Sequence, residues 1–434
     1  MMRTTGRRLG ALACVMGTLA LVAACGGSST SVKRGQAVVF DTFDAFSGPN
    51  ADFGTTEYSG CPPAVLLINQ AGGILGHRAV CKATDTRGDP ADAVLAGHQL
   101  LASTPNLVGV LGPSSLDDTA TMPLFEGSKI PAFDDGGSIA FNKNQYAYFW
   151  RTTPADNVEG FAMAVWARER GYTRAAGMFL NDVSAQGNVP GVVSGYPRVG
   201  GRLVINESLT TGQTSYATEL QRMMSSHPQV MFTETDPPTA AVLWRELKQD
   251  GALLPIIGTI GQTGPDFQKA VTSAVGTADL NKYYVLMEPY SIPGPATQVF
   301  ARAMAESAKQ VPSYAKSDDG SNPIQNAYDD VNIMALAMVA AHSVTPAVYN
   351  TYIESVVQPG KGKVVVSTYA AGKKALEAGK KIRYVGAIGP ITFNRYHNST
   401  GVFAAVIPSE GYRQTGSLVS TGTLAKVMAG TTSG

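Results

Sequence analysis

Three clusters of hydroxyl, amide and carboxylate groups are the places where this sequence is equipped to hold another molecule. Gly112-Pro113-Ser114-Ser115-Leu116-Asp117-Asp118-Thr119 follows a strand-like run, and hydroxyls with free amides at a helix start can grip a carboxylate or carbonyl. Ser and Asp are also the residues that cap helices, so Ser114, Ser115 and Asp117 carry both readings. Asp134-Asp135-Gly136-Gly137-Ser138 ends the next apolar run, where flexible glycines allow a ligand close to the backbone or simply make a turn. Thr233-Glu234-Thr235-Asp236 ends a later one, with Thr235 and Asp236 reaching either a cleft or an exposed loop.

Bond-breaking chemistry has little to work with. Ser313-Tyr314-Ala315-Lys316 has the spacing in which a lysine can activate a serine, but it lies in a polar stretch and no Lys-Thr-Gly follows. There is no Gly-x-Ser-x-Gly elbow, no phosphate loop and no His-Glu-x-x-His. The five histidines, His77, His98, His227, His342 and His397, are scattered without ligand spacing, so no metal or other cofactor is expected. A binder rather than an enzyme is the expectation.

The elements that must position these clusters alternate. Residues 37–40 read as a buried strand, with a loop marked by Gly48-Pro49 a few residues on; a helix through Ala64, Val65, Leu67 and Ile68 follows and stops at Gly72-Gly73. A strand over 77–83, a helix begun by Asp89-Pro90 and a strand over 107–111 come next. Past Pro154 the plan resumes: helix 157–170, strand 175–180, helix 216–226, strand 230–233, helix 239–250 and strand 254–257. A strand over 283–287, a helix over 297–309 and a long apolar helix over 328–341 close the series, with 313–323 as a polar, proline-bounded surface loop. Such alternation predicts α/β architecture with parallel sheets covered on both faces.

At the start of the chain, Arg3, Arg7 and Arg8 precede an apolar stretch over 9–24, shorter than the roughly 20 apolar residues a spanning helix needs. The ending Val22-Ala23-Ala24-Cys25 resembles the bacterial lipobox. The resemblance implies that 1–24 is a lipoprotein signal peptide, that Cys25 is acylated on its sulfur, and that the mature protein is extracytoplasmic and lipid-anchored to the bacterial cell membrane. Residues 25–35 are the lipidated tether. Loss of the three arginines leaves 31 basic against 33 acidic side chains, a net charge of −2, and no nucleic-acid partner is expected. With Cys14 in the signal, Cys61 and Cys81 remain as a disulfide across a loop of about 20 residues or as two free thiols; in an exported body the bond is expected.

In order along the chain stand FSGPNADFG (46–54), INQAGGILG (68–76), DTRGDPADAV (85–94), VGVLGP (108–113), IPAFD (130–134), FWRTTPAD (149–156), YDDVNIMALA (328–337) and GPITF (389–393) with a later Thr400-Gly401. Together they resemble the type I periplasmic binding proteins, the branched-chain amino acid or amide class of solute receptors for ABC importers. The resemblance implies two doubly wound lobes joined by three crossings near 149–152, 285–289 and 403–407, lobe I being 36–150 plus 288–402 and lobe II 151–287 plus 403–434. It implies a small-molecule solute in the cleft, permease and ATPase subunits as partners, and a monomer; a sensor that signals to a membrane partner is the alternative.

The resemblance also places Phe53, Gly136 and Ser138 at the ligand. Here the chain departs from its relatives. Leu116 stands where a serine is usual, Ser184 replaces a tyrosine in Asn181-Asp182-Val183-Ser184-Ala185-Gln186-Gly187, and Ile260 stands where an acid often holds an ammonium group. Asp236 or Asp182 can substitute for that acid, and Tyr290 and Tyr328 are either aromatic walls or core. An amino acid bound through other contacts, an amide or an aromatic acid is the expected solute.

Overall fold

The computed structural model describes residues 32–33, 35–291, 293–308 and 321–431. Cys25, and the Ser313 to Lys316 motif, lie outside the described residues.

The first sheet holds β1 (Val38–Asp44), β2 (Ala79–Asp85), β3 (Leu107–Leu111), β4 (Ala132–Phe133) and β5 (Phe149–Trp150), all parallel in the order β2-β1-β3-β4-β5. β1 and β3 are buried along their whole length; β3 accordingly reads as an unbroken apolar run, whereas β1 buries Asp41, Thr42 and Asp44 among its apolar residues. One face packs under the helices Ala51–Gln70 and Asn322–Ala341, with Ile68, Val331, Met334 and Tyr328 in its core. The other face packs Phe43, Ala93, Leu100 and Phe125 under the helices Pro90–Ser103 and Asp118–Ser128. Asp89 caps Pro90–Ser103 by accepting from the N–H groups of Ala91 and Asp92, as its position before proline predicts.

The second sheet takes β6 (Arg174–Leu180), β7 (Arg202–Leu209), β8 (Val230–Glu234), β9 (Ile256–Gly258) and β10 (Tyr284–Pro289) in parallel. The chain then returns beside the first sheet for the long helix and a small sheet of β11 (Val364–Val366), β12 (Ile382–Gly386) and β13 (Gly389–Pro390). Finally β14 (Phe403–Ile407) adds antiparallel to β10 and β15 (Arg413–Val419) antiparallel to β14, completing the order β15-β14-β10-β9-β8-β6-β7. One apolar core collects residues from 161–287 and 403–427 around this sheet.

Three connections pass between the two bodies and lie side by side. Arg151 pairs with Asn398, its N–H bonding the His397 carbonyl at 3.0 Å while Ser399 N–H bonds the Arg151 carbonyl at 2.9 Å. Tyr290 N–H in turn bonds the Val402 carbonyl at 2.7 Å, next to the Pro289–Phe403 pair.

Cys61 and Cys81 are bonded, tying the helix Ala51–Gln70 to the edge strand β2. The polar segment at 313–323 does not remain a surface loop to its end. Ser321 and Asn322 are buried, and Asn322 begins the long helix six residues ahead of expectation. Pro323 sits in the first turn, where a missing N–H costs nothing, so the proline marks a helix start rather than a loop boundary. Among the described residues no single helix is long and apolar enough to cross a membrane.

Candidate functional site

Between the two sheets, at the carboxyl ends of their strands, lies a cavity of about 70 Å³. The first body contributes Asp52, Phe53, Thr56 and Glu57 from the start of the helix Ala51–Gln70, Ser114 and Ser115 after β3, Asp135 to Gly137 after β4, and Pro323. Asp52 and Thr56, and likewise Phe53 and Glu57, are four apart, so each pair shares a face of that helix. Gly136 and Gly137 let the chain pass close by. A Cβ on Gly136 would come within 2.3 Å of Ser115 Oγ, and one on Gly137 within 1.8 Å of Asp156 Oδ1.

The second body contributes Asp156, Ser184, Glu234, Ile260, Gly261 and Thr263. Glu234, the last residue of β8, is clamped by three donors. Ser184 Oγ reaches Oε1 at 2.7 Å, and Asn188 Nδ2 and Thr259 Oγ1 reach Oε2 at 2.9 and 2.6 Å. Hydrogen bonds join the bodies directly where both line the cavity. Asp52 Oδ2 accepts from Phe267 N–H at 2.9 Å, in the first turn of the helix Pro265–Val275, and the Gly137 carbonyl accepts from Asp156 N–H at 2.7 Å.

Among the described residues five carboxylates therefore line the cavity, from Asp52, Glu57, Asp135, Asp156 and Glu234, and no Lys, Arg or His does. Burial holds the Glu57 carboxyl well above the ordinary carboxylate range, reinforced by Asp135, Asp330 and Asp134. Burial and then Glu234 do the same for Asp156. Burial, with the charge of Asp182, lifts Glu234 to about 7 against the opposing Thr259 and Ser184 bonds. Asp52 rises to about 6 by burial, its bond to Phe267 pulling the other way. The nearest buried cation, Arg151, does not line the cavity; its guanidinium donates to the Ser138 carbonyl at 2.8 Å and Asn142 Oδ1 at 2.7 Å.

Of the residues expected at a ligand, Phe53, Ser114, Ser115, Gly136 and Ser184 line this cavity. Leu116, Thr235 and Asp236 line a smaller recess that shares Phe53, Ser184, Glu234 and Gly261 with it. Asp236 is the cap of the helix Pro237–Gln249, accepting from Thr239 N–H, and Thr235 Oγ1 accepts from Gln262 at 3.0 Å. Asp117, Ser138, Tyr290 and Tyr328 line neither space. Asp117 and Ser138 are buried beside it, Tyr290 packs against the second core, and Tyr328 packs on Phe300 in the first.

Glu57 and Glu234 were not among the expected residues, although signals for both exist. Glu57 is one helical turn past Phe53. Asp236-Pro237 is a helix cap followed by proline at the first helical position, which commits Asp236 to the backbone and leaves Glu234 as the acid at the strand end.

The family model described as periplasmic binding protein matches residues 42–404. The Leu/Ile/Val-binding protein BraC3 of Rhizobium johnstonii is 25% identical over 236 residues, 53% of this chain and 63% of that protein. The leucine-specific-binding protein of Salmonella typhimurium is 23% identical over 250 residues, 57% of this chain and 66% of that protein. The chain thus spans just under two thirds of the length of these relatives. In fold it is similar to the branched-chain amino acid transporter substrate binding protein LivJ from Streptococcus pneumoniae, in complex with isoleucine. That match has a TM-score of 0.70 at 18% identity and covers 88% of this chain and 99% of the other. A solute binding protein of an ABC transporter from R. palustris, in complex with benzoate, matches with a TM-score of 0.69 at 15% identity, over 88% and 96% of the two chains.

Proposed function

Because the chain belongs to the periplasmic binding protein family, we propose that it is an extracytoplasmic receptor that closes two lobes on a small solute and delivers it to the permease and ATPase subunits of an ABC importer. The observation that carries this reading is the cavity itself, walled by strand ends of both sheets and bridged from lobe to lobe by Asp52–Phe267 and Gly137–Asp156. The lobe division at 36–150 plus 288–402 against 151–287 plus 403–434 belongs to the proposal. The two separately packed bodies support it, one apolar core drawing on 161–287 and 403–427. Anchoring through an acylated Cys25 after removal of 1–24 belongs to it as well, supported by the basic, apolar and small-residue order of the first 25 residues.

The expected solute classes are not equally served. An aromatic acid or an amino acid would bring a carboxylate into a space lined by five acids, with leucine at 116 in place of a gripping serine. The test is thermal unfolding of the purified protein against panels of amino acids, amides, aromatic acids, amines and sugars. A solute at 100 times its Kd should add about 2.7 kcal/mol of stability. A stabilising solute whose uptake fails when the gene is deleted supports the receptor. Uptake that persists unchanged, with altered gene expression instead, would replace delivery by sensing.

A further inference from the structure

Resting on that receptor reading, we propose that the solute is a short aliphatic diamine, one ammonium group held by Glu57 and Asp135 on the first lobe and the other by Glu234 on the second. The charge around the cavity is one-sided: among the described residues five carboxylates line it and no basic side chain does. Glu57 carries the point further. It is 1% exposed, yet neither of its carboxylate oxygens has a hydrogen-bond partner. A buried carboxylate without donors is costly, and this one lies on the cavity wall, where a cation's N–H groups would satisfy it. Asp156 Oδ2 is buried without a partner on the facing side of the cavity, and the hydroxyls of Ser114 and Ser115 are so on the side of Glu57.

Acids on both lobes ask for positive charge at both ends of the solute. Glu234 is already oriented by Ser184, Asn188 and Thr259, so it receives an ammonium without reorganising. Between the acids the wall is Phe53, Ile260 and backbone glycines, suited to a methylene chain and, at Phe53, to a cation over a ring face. The cavity is small, about 70 Å³, which favours a short chain over a bulky solute. A metal ion is a poor fit, because among the described residues no three of His, Cys, Asp and Glu are grouped to hold one.

The experiment is isothermal titration of the purified protein with 1,4-diaminobutane, butylamine, leucine, isobutyramide, benzoate and calcium chloride. The expected result is binding of the diamine, at least tenfold weaker binding of butylamine, and none of leucine or benzoate in that range. Glu57→Gln and Glu234→Gln should each weaken the diamine at least tenfold while melting as cooperatively as the parent. Should one variant fail to fold, repeating the parent titration in buffers of different ionisation enthalpy gives a second reading: the diamine should release protons from the cavity acids. Tighter binding of leucine, isobutyramide or benzoate than of the diamine overturns the diamine and leaves the receptor standing. Calcium that binds as tightly and displaces the diamine, or diamine affinity unchanged in both variants, also overturns it. Absence of heat with every solute counts against both readings.

Discussion

Glu234 shows how much one side chain organises on the second lobe. Its carboxyl accepts from Ser184, Asn188 and Thr259, and a Cβ on Gly261 would come within 2.7 Å of Oε1, so the loop after β9 is drawn tightly over it. Glu234→Ala leaves three donors facing a gap, and a loss of about 2 kcal/mol is expected, whereas Glu234→Gln keeps an acceptor and should cost under about 1 kcal/mol. Urea unfolding midpoints of the two variants check this; equal midpoints would refute it. The raised carboxyls also set a pH dependence. Glu234 and Asp117, each lifted to about 7 by burial first, keep in the native state a proton that the unfolded chain releases near 4. That contribution is complete below about pH 4 and is lost as pH rises through 7. Around them Asp44, Glu57, Asp134, Asp135, Asp156 and Asp330 push the same way, and Arg151 is the buried counter-charge. The melting temperature of the solute-free protein should therefore fall from pH 5 to pH 8; a flat or rising profile contradicts this account. At this scale the sequence was only partly legible. Ser114 and Ser115 were found from their hydroxyls at a helix start, and Phe53, Gly136 and Ser184 through the resemblance, while Glu57 and Glu234 were missed until helix and strand geometry aimed them.

At the scale of elements, the strands buried on both sides were the easiest to read: 107–111 is β3 without adjustment, because a five-residue apolar run between turns has few other uses. The helix Val183–Arg198 was invisible. It contains Gly187, Pro190, Gly191, Gly195 and Pro197, which argue against a helix on propensity alone. Packing overrides them. A Cβ on Gly191 would come within 2.1 Å of the Asn157 carbonyl and 2.9 Å of Gly160 Cα, so the glycines let this helix cross Asp156–Glu169 backbone to backbone. Gly191→Val should force the two helices apart and cost about 1–3 kcal/mol, read as a lower denaturant midpoint. A midpoint within a few tenths of the parent would show that the crossing yields. The Cys61–Cys81 bond closes a 20-residue separation and is worth about 3 kcal/mol on the chain-entropy model. A reducing agent should lower the melting temperature of the parent and leave Cys61→Ala/Cys81→Ala unmoved; equal responses would exclude the bond as the cause.

For the whole molecule, the decisive arrangement is the set of three connections between the lobes. The stretch around Arg151 pairs with Asn398 and Ser399, and Tyr290 pairs with Val402, so the third connection lies between the other two. Thr152 Oγ1 adds bonds of 2.9 and 3.1 Å to the Asp330 carboxylate on the long helix, and Ser399 Oγ bonds the Thr152 carbonyl at 2.5 Å. The crossings were placed through the resemblance, the motif at 149–156 lying on the first and Thr400-Gly401 just before the third; their mutual pairing was not legible, because it joins residues more than one hundred positions apart. Thr152→Val removes the link to Asp330 and should shift the balance between open and shut forms without lowering the melting temperature by more than a few degrees. Small-angle scattering with and without solute checks this, and an unchanged balance would argue against the link. Three ribbons stitched edge to edge resist twisting and sliding far more than bending, so the motion left to the molecule is that of a door on one long hinge. Its state is then a single number: one dye on each rim of the cleft would be enough to follow, molecule by molecule, how long the door stands open.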